Sequence, residues 1–192
     1  MKKVIKNLAA VAIIVFVSFS FTEIQVDKKE IKTDNSKVVW KGYKVTGSHE
    51  GTIAIKSGSL SFEAGKLVGG EFVIDMATIN TTDLQGEYKG KLDGHLKSAD
   101  FFGVEKHPTA TLTFTKVEAS GKNAYNVTGE LTIKEQTHPV AFVISIYGNK
   151  ATASLKVDRT IYDIKYGSAS FMDGLKDKAI YDEFDLVADL EF

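Results

Sequence analysis

The sequence predicts an all-β protein of about eight or nine antiparallel strands with one short helix. Between residues 37 and 192, apolar and polar residues alternate in most segments, which is the period of strands with one buried face. Hairpin-length turns separate these segments, for example "EAGK" at 63–66, "SGKN" at 120–123 and "YGNK" at 147–150. Many strands joined by short turns form a meander that closes into a barrel or folds into a sandwich.

Each strand is placed by its alternating apolar residues. In "GTIAIKSGSLSF", these residues lie on either side of a turn predicted at Ser57-Gly58. Pro108 and Pro139 each follow a histidine, and both are predicted to begin a strand, because proline lacks the N–H that a strand interior uses. The remaining predicted strands, in chain order, are "VVWKGYKV", "GGEFVIDM", "TATLTFTKV", "AYNVTGELTI", "VAFVISIY", "ATASLKV" and "FDLVADLEF".

One helix of about two turns is predicted near the middle of the chain. Leu92, Leu96 and Ala99 stand at positions i, i+4 and i+7, which places them on one helical face. Asp93 is the predicted N-terminal cap. The glycine-spaced segment "GEYKGKLDG" at 86–94 is predicted to be a flexible loop.

The N-terminus has the pattern of an export signal. "MKK" and Lys6 supply positive charge, and the apolar run that follows is too short for an ordinary membrane-spanning helix. Ser18 and Ser20 predict cleavage before Phe21, with an uncleaved anchor as the alternative. The sequence thus predicts a signal peptide at 1–20, a polar lead-in at 21–36 and one domain at 37–192. We expect an exported protein, either periplasmic or secreted.

Composition excludes several classes of function. The chain has 24 basic and 25 acidic residues, a net charge of -1 and no cysteine. Such a charge balance does not favour nucleic-acid binding. The lack of cysteine excludes disulfides, thiolate zinc sites and a thiol nucleophile.

The motif "GHLKSADFFGVEKHPT" at 94–109 suggests either a metal site or the closure of an apolar container. It holds four side chains that could bind a metal, but they lack the spacing of three or four that brings helical ligands together. These side chains are His95, Asp100, Glu105 and His107. The sequence also lacks an HExxH motif and a GxSxG elbow. We therefore expect no metal site and no catalytic activity.

Apolar and aromatic residues are abundant enough to fill a barrel or to line a ligand cavity. The chain contains 12 Phe, 7 Tyr and 1 Trp. An eight-stranded barrel is either filled by side chains or holds one small ligand. Small residues on predicted inward positions would leave room for a ligand, and these are Gly129, Ala151, Ala153 and Ala188.

Four segments together resemble the YceI-like family of bacterial lipid-binding proteins. They are "HLKSADFFGVEKHPTATLTFTKV", "YNVTGELTIKEQTHPVAFVISI", "VDRTIYDIKYGSASF" and "DKAIYDEFDLVADLEF". The residues that match the family motifs are Leu96, Ala99, Asp100, Phe101, Phe102, Pro108, Gly129, Leu131, Thr132, Pro139, Arg159, Tyr166 and Gly167. Many members carry Phe-Gly after this arginine, where the present chain has "IYDIKYGS" at 161–168.

The resemblance implies an extended antiparallel eight-stranded barrel of lipocalin-like shape that holds a long isoprenoid or other amphiphilic lipid. On that basis the protein is expected to carry or store a lipid in the periplasm without catalysis. An exported redox module that binds a quinone or haem, and a stress-related barrel with a filled core, are the alternatives. No cofactor is required beyond a bound isoprenoid lipid or quinone, and transient membrane contact and a homodimer are both compatible with this role.

The predicted lipid site combines apolar inward positions with polar groups at the barrel mouth. Arg159, Tyr166, Lys97 and His95 are the candidates for contact with a polar head group. Which alternate set of strand residues faces inward depends on register, because a shift of one residue exchanges the two faces. The predicted apolar lining is Ile53, Ile55, Phe72, Ile74, Phe101, Phe102, Phe114, Leu131, Phe142 and Ile144.

Overall fold

A computed structural model describes residues 25–192, so the predicted signal peptide at 1–20 lies outside the described residues. The described chain contains nine strands and one α-helix. Three single-turn 3₁₀ helices add to these at Thr33–Asn35, Thr160–Tyr162 and Lys176–Lys178. In chain order the main elements are β1 (Val26–Glu30), β2 (Lys37–Lys44), β3 (Gly47–Glu63), β4 (Lys66–Thr81), α1 (Gly86–Lys97), β5 (Thr109–Ala119), β6 (Ala124–Ile133), β7 (Gln136–Tyr147), β8 (Lys150–Asp158) and β9 (Ile180–Glu191).

Strands β2 to β9 form a closed antiparallel barrel, which confirms the predicted eight-stranded fold. Around the barrel the order is β3-β2-β9-β8-β7-β6-β5-β4, and pairing of β3 with β4 closes the ring. Every pairing is antiparallel. Strand β1 lies in the predicted polar lead-in and pairs with residues 59–63 of β3, beyond the part that pairs with β2. All five β1 residues are exposed, so this strand extends the sheet without entering the core.

The alternating connections of the meander define two ends of the barrel. The helical end carries α1, the β2–β3 and β6–β7 turns, and the segment 159–179 between β8 and β9. The opposite end carries the β3–β4, β5–β6 and β7–β8 turns and the C-terminus. Within residues 25–192, none of the helices combines the length and the apolar character that crossing a bilayer requires.

The opposite end is filled by side chains. Leu60, Phe62, Leu67 and Val127 are buried there, and the rings of Phe62 and Phe192 are 5.4 Å apart. This packing closes the barrel interior at the end remote from α1, and any internal space lies nearer the helical end.

Helix α1 is longer than predicted, and the prediction of a flexible loop at 86–94 is wrong. The helix begins at Gly86, seven residues before the predicted cap, Asp93. Asp93 instead accepts a hydrogen bond from the backbone N–H of Thr81 (2.8 Å) at the end of β4. Leu96 is buried against the barrel, so tertiary packing outweighs the low helix propensity of the glycines.

Two of the predicted strand boundaries are also wrong. Strand β3 runs through Ser57-Gly58 without a turn, and its pairing with β4 shifts by one residue between Ile55 and Ser57. A Cβ atom at Gly58 would lie 2.7 Å from the ring of Phe72, so close packing and not a turn requires this glycine.

The two prolines differ in their positions. Pro108 directly precedes β5, as predicted, whereas Pro139 lies inside β7. Pro139 pairs with Glu130 of β6, but β7 pairs with β8 only from Val143 onward. The edge of β7 at Pro139 is therefore free of a β8 partner, which explains why a residue without an N–H is tolerated there.

Candidate functional site

The barrel encloses an apolar cavity of about 180 Å³. Its wall is built from the inward faces of the strands, closed by residues of α1 and the turn that follows it. The lining side chains are almost all aliphatic or aromatic. They are Val38, Trp40, Ile53, Ile55, Phe72, Ile74, Met76, Ile79, Leu96, Phe101, Phe102, Ala110, Leu112, Phe114, Leu131, Ile133, Phe142, Ile144, Ala153, Leu155, Ile180, Phe184, Leu186, Ala188 and Leu190, together with Gly42, Tyr43, Arg159, Tyr181 and Glu183.

Aromatic rings make contact along one side of this cavity. The ring of Phe114 on β5 lies 5.8 Å from that of Phe72 on the neighbouring β4 and 5.5 Å from that of Phe142 on β7, which is separated from β5 by β6. These separations are within the range of favourable ring pairs, so the wall is ordered by ring packing as well as by burial.

The predicted inward-facing strand residues all lie in the wall, which also contains strand residues that were not predicted. All the predicted apolar lining residues, including Phe101 and Phe102, line the cavity, and so does Arg159, whereas the predicted polar groups Tyr166, His95 and Lys97 do not. Tyr166 is half-exposed, and its ring lies 4.4 Å from that of His95. The predicted lining residues therefore form part of the apolar wall, and their role in binding a lipid stays a prediction.

Small residues open space on one side of the cavity. Ala153 of β8 and Ala188 of β9 are directly paired and both line the cavity. The other two small residues predicted to leave room do not line it. A Cβ atom at Gly129 would lie 2.9 Å from the carbonyl oxygen of Thr113, so that glycine is needed for close strand packing.

The motif at 94–109 closes the helical end of the barrel. After α1, Phe102 N–H donates to the Leu96 carbonyl (3.1 Å) and Gly103 N–H donates to the Ser98 carbonyl (2.8 Å). Gly103 adopts a positive φ of 58°, which glycine takes without strain. This tight turn places the rings of Phe101 and Phe102 5.1 Å apart against the cavity.

Arg159 lies within the barrel end and is not at its rim. Its side chain is 2% exposed, and its guanidinium donates to the carbonyl oxygens of Tyr181 (3.0 Å), Ile164 (2.6 Å) and Ile180 (3.0 Å). Burial lowers the pKa of this guanidinium, and the nearby Asp182 carboxylate opposes that effect. These bonds tie the segment after β8 to the start of β9. Contact of Arg159 with a polar head group stays a prediction.

The other predicted polar groups lie outside the cavity wall. His95 and Lys97 belong to the last turn of α1, and neither lines the cavity. The ring of His95 is sandwiched between those of Phe101 (5.5 Å) and Tyr166 (4.4 Å). We interpret His95 as part of the packing that holds α1 on the barrel end.

The cavity comes to the surface at a bulge in the pairing of β2 with β9, at the helical end. Gly42 pairs with Phe184, but Lys44 pairs with Ile180, so residues 181–183 have a single β2 residue, Tyr43, opposite them. Gly42, Tyr43, Tyr181 and Glu183 line the cavity at this point and are defined here as the mouth. Sequence patterning could not reveal the mouth, because it arises from the pairing of strands that are far apart in the chain.

A hydrogen-bonded polar group borders the mouth. Tyr43 Oη donates to Asp185 Oδ2 (2.6 Å), and Lys156 Nζ donates to Asp185 Oδ1 (3.0 Å). The bond from Tyr43 and then that from Lys156 lower the pKa of Asp185. The same bond to Asp185 is the main reason that the pKa of Tyr43 is raised. The mouth therefore combines an apolar interior with a charged outer edge.

The structure does not bring the candidate metal ligands together. Among residues 25–192, no group of three or more His, Asp or Glu side chains could hold a metal ion. His107 lies 3.6 Å from Glu135, and His49 lies 2.9 Å from Asp83, each as an isolated pair.

Solved structures with a similar fold extend over nearly the whole described chain. Burkholderia cenocepacia BcnA aligns with a TM-score of 0.65 and 23% identity, over 83% of this chain and 98% of its own. A polyisoprenoid binding domain from Saccharophagus degradans, implicated in plant cell wall breakdown, aligns with a TM-score of 0.57 and 14% identity, over 87% of this chain and 99% of its own. At these identities the likeness concerns the fold.

Curated relatives share closer sequence similarity over a shorter stretch. A UPF0312 protein of Azotobacter vinelandii is 34% identical over 98 residues, which is 51% of this chain and 49% of that protein. The chain thus spans about half the length of this relative. The sequence model of the YceI-like domain matches residues 29–192, beginning inside the predicted lead-in. Because that match covers most of the chain and agrees with the closed barrel, the chain belongs to the YceI-like family.

Proposed function

We propose that this protein binds a long-chain isoprenoid or another amphiphilic lipid in the barrel cavity and carries or stores it without catalysis. The observation that carries the proposal is a cavity with an almost wholly apolar wall, closed at the opposite end and open at the mouth. Such a cavity suits a ligand with one apolar and one polar end. The name of the Saccharophagus degradans domain, a polyisoprenoid binding domain, supports the choice of ligand class.

The binding energy follows from the apolar surface removed from water. Each buried CH₂ group contributes about 0.8 kcal/mol, so a tail of several carbons binds without a specific polar contact. The entropy lost when a flexible tail is ordered offsets part of this gain. A polar head would remain at the mouth, near Tyr43 and Glu183, where it keeps its contact with water.

The cavity volume limits how much of the ligand fits without rearrangement. An engineered apolar cavity of about 150 Å³ accepts benzene, so about 180 Å³ accommodates only part of a long tail. We infer that a longer tail moves lining side chains aside, and the flexible Met76 is suited to this.

We also propose that residues 1–20 direct export and that the mature protein acts in the periplasm. The test is N-terminal sequencing of the protein recovered from the periplasmic fraction. A mature chain that begins near Phe21 agrees with the proposal, whereas an intact Met1 in a membrane fraction agrees with an uncleaved anchor.

The chain's single tryptophan provides a direct binding assay. Trp40 lines the cavity, and retinol is an isoprenoid that accepts excitation energy from tryptophan. Titration of the lipid-free protein with retinol should quench Trp40 emission and produce retinol emission in a saturable manner. If added retinol gave no saturable energy transfer and was not retained when the protein was repurified, the isoprenoid part of the proposal would be wrong.

A further inference from the structure

We propose that the protein delivers and collects its lipid by docking the helical end of the barrel on the surface of a zwitterionic lipid bilayer. The inference rests on the proposed function and extends it by naming the surface and its partner. An apolar ligand has little free concentration in water, because its transfer from an apolar site to water is unfavourable. Contact between the mouth and a bilayer avoids that transfer.

The first observation is a pair of exposed apolar side chains on an ordered turn. Phe171 is 54% exposed and Met172 is 46% exposed. Their backbone N–H groups donate to the carbonyl oxygen of Ser168, at 3.2 and 3.0 Å. Ser168 itself is fully buried, so the turn is anchored in the protein while its tip exposes two large apolar groups.

The second observation links this turn to the mouth. Ser170 Oγ donates to Asp182 Oδ2, and Asp182 stands between the mouth residues Tyr181 and Glu183. Tyr181 is 55% exposed. The turn tip therefore lies next to the opening of the cavity.

A further exposed apolar residue joins from the β2–β3 turn. Val45 is 54% exposed, and its N–H donates to the Ala179 carbonyl (3.2 Å), just before β9. Three segments of the chain thus expose apolar side chains around one opening. We define this docking patch as Val45, Phe171, Met172 and Tyr181.

The charges around the docking patch identify the partner. Lys176, Lys178 and Lys44 form no ion pair within the described residues, and neither do Asp173 and Asp177. Free charges of both signs complement a head group that carries a phosphate and an ammonium. These three lysines and two aspartates have a net charge of +1, far from the cluster of about four to eight basic residues that selects anionic lipids. Inserted apolar side chains, flanked by charges that reach the head groups, are the usual basis of interfacial binding.

Transfer kinetics test the inference. Protein loaded with retinol is mixed with phosphatidylcholine vesicles, and the loss of energy transfer from Trp40 gives the transfer rate. For the unmodified protein this rate should rise in proportion to vesicle concentration. The double variant Phe171→Ser/Met172→Ser should transfer retinol at about one-tenth of the unmodified rate or below, because two partly exposed side chains no longer enter the bilayer. Its retinol affinity and thermal unfolding should be unchanged.

A matched control removes exposed apolar residues at the opposite end. Val68 and Tyr147 are exposed there, and the double variant Val68→Ser/Tyr147→Ser should transfer retinol at the unmodified rate. A rate that does not depend on vesicle concentration, or equal slowing in both double variants, would overturn the inference. A rate that rises only when phosphatidylglycerol is added would also overturn it, since attraction to anionic lipid would then be the cause.

The proposed function and the docking inference fail in distinguishable ways. If retinol binds but its transfer ignores vesicles, the carrier function stands and docking is wrong. If retinol does not bind, sedimentation of the lipid-free protein with phosphatidylcholine vesicles tests docking separately. Co-sedimentation that the Phe171→Ser/Met172→Ser change reduces would support docking, and absence of co-sedimentation would contradict it.

Discussion

Enlarging Ala188 to leucine should stabilise the lipid-free protein and weaken lipid binding. Ala188 lines the cavity beside Ala153, its partner on the adjacent strand β8, and the cavity of about 180 Å³ has room for a larger side chain. Leucine adds three carbons, worth about 2.4 kcal/mol at about 0.8 kcal/mol per carbon. Ordering the new side chain costs about 0.5–1 kcal/mol, which leaves a net gain of about 1.5 kcal/mol in the free energy of unfolding.

The same three carbons occupy space that a ligand tail would use. Displacing an equal length of tail costs about 2.4 kcal/mol, so retinol should bind roughly 50-fold more weakly. Urea unfolding of the lipid-free protein measures the first effect, and titration of Trp40 emission with retinol measures the second.

The control for Ala188→Leu is Ser154→Leu. Ser154 is exposed on β8, next to Ala153 and on the other strand face, so its replacement should change the unfolding free energy by about 0.5 kcal/mol or less. The opposite outcome is an Ala188→Leu variant that is less stable than the unmodified protein and binds retinol with unchanged affinity. That pair of results would mean that the site is already filled and that the ligand binds elsewhere.

Two further predictions concern the barrel end and the mouth. Phe101→Ser should lower the free energy of unfolding by about 3–5 kcal/mol and reduce lipid retention, because this buried ring closes the cavity. His95→Ala should lower the free energy of unfolding by about 1 kcal/mol or less, as measured by urea unfolding. The reverse ranking would favour a functional histidine site. Tyr43→Phe should raise the pKa of Asp185 in an NMR titration, because the hydrogen bond that most lowers this pKa is lost. Because the pKa of Asp185 is lowered in the folded protein, this carboxylate adds stability at any pH above its ordinary pKa of about 3.9. That stability is lost as the pH falls through the pKa of the folded state, so the Tyr43→Phe variant should lose less stability in acid than the unmodified protein. An Asp185 titration that Tyr43→Phe leaves unchanged would contradict this expectation.

Local alternation was sufficient to predict the antiparallel meander and part of the cavity lining, whereas the choice of a barrel over a sandwich came from the resemblance to the YceI-like family. Phe72 and Ile74, or Phe142 and Ile144, stand two residues apart and therefore share a strand face in any register of their partners. The same rule applies to Trp40, Leu112, Phe184 and Leu186, which line the cavity and lie in predicted strands but were not among the predicted site residues. The alternation could have identified them.

Features that depend on tertiary packing could not be predicted from local pattern. Gly58 resembles a turn glycine, although its lack of a side chain is what lets the ring of Phe72 pack against the backbone of β3. Pro139 resembles a strand entry, although it lies inside a strand whose edge is unpaired at that point. Nothing in the local pattern indicates that Arg159 donates its hydrogen bonds to buried carbonyl groups. In each case the partner is remote in sequence, so its effect is visible only after folding.

Organic extraction of the natively purified protein, followed by mass spectrometry, shows whether the barrel holds a lipid. We expect a long-chain isoprenoid or another amphiphilic lipid in near-stoichiometric amount from the unmodified protein. The Ala188→Leu variant prepared in parallel should yield a much smaller amount. Recovery of no lipid from either protein, or of a haem or a metal ion in its place, would mean that the barrel is not a lipid carrier.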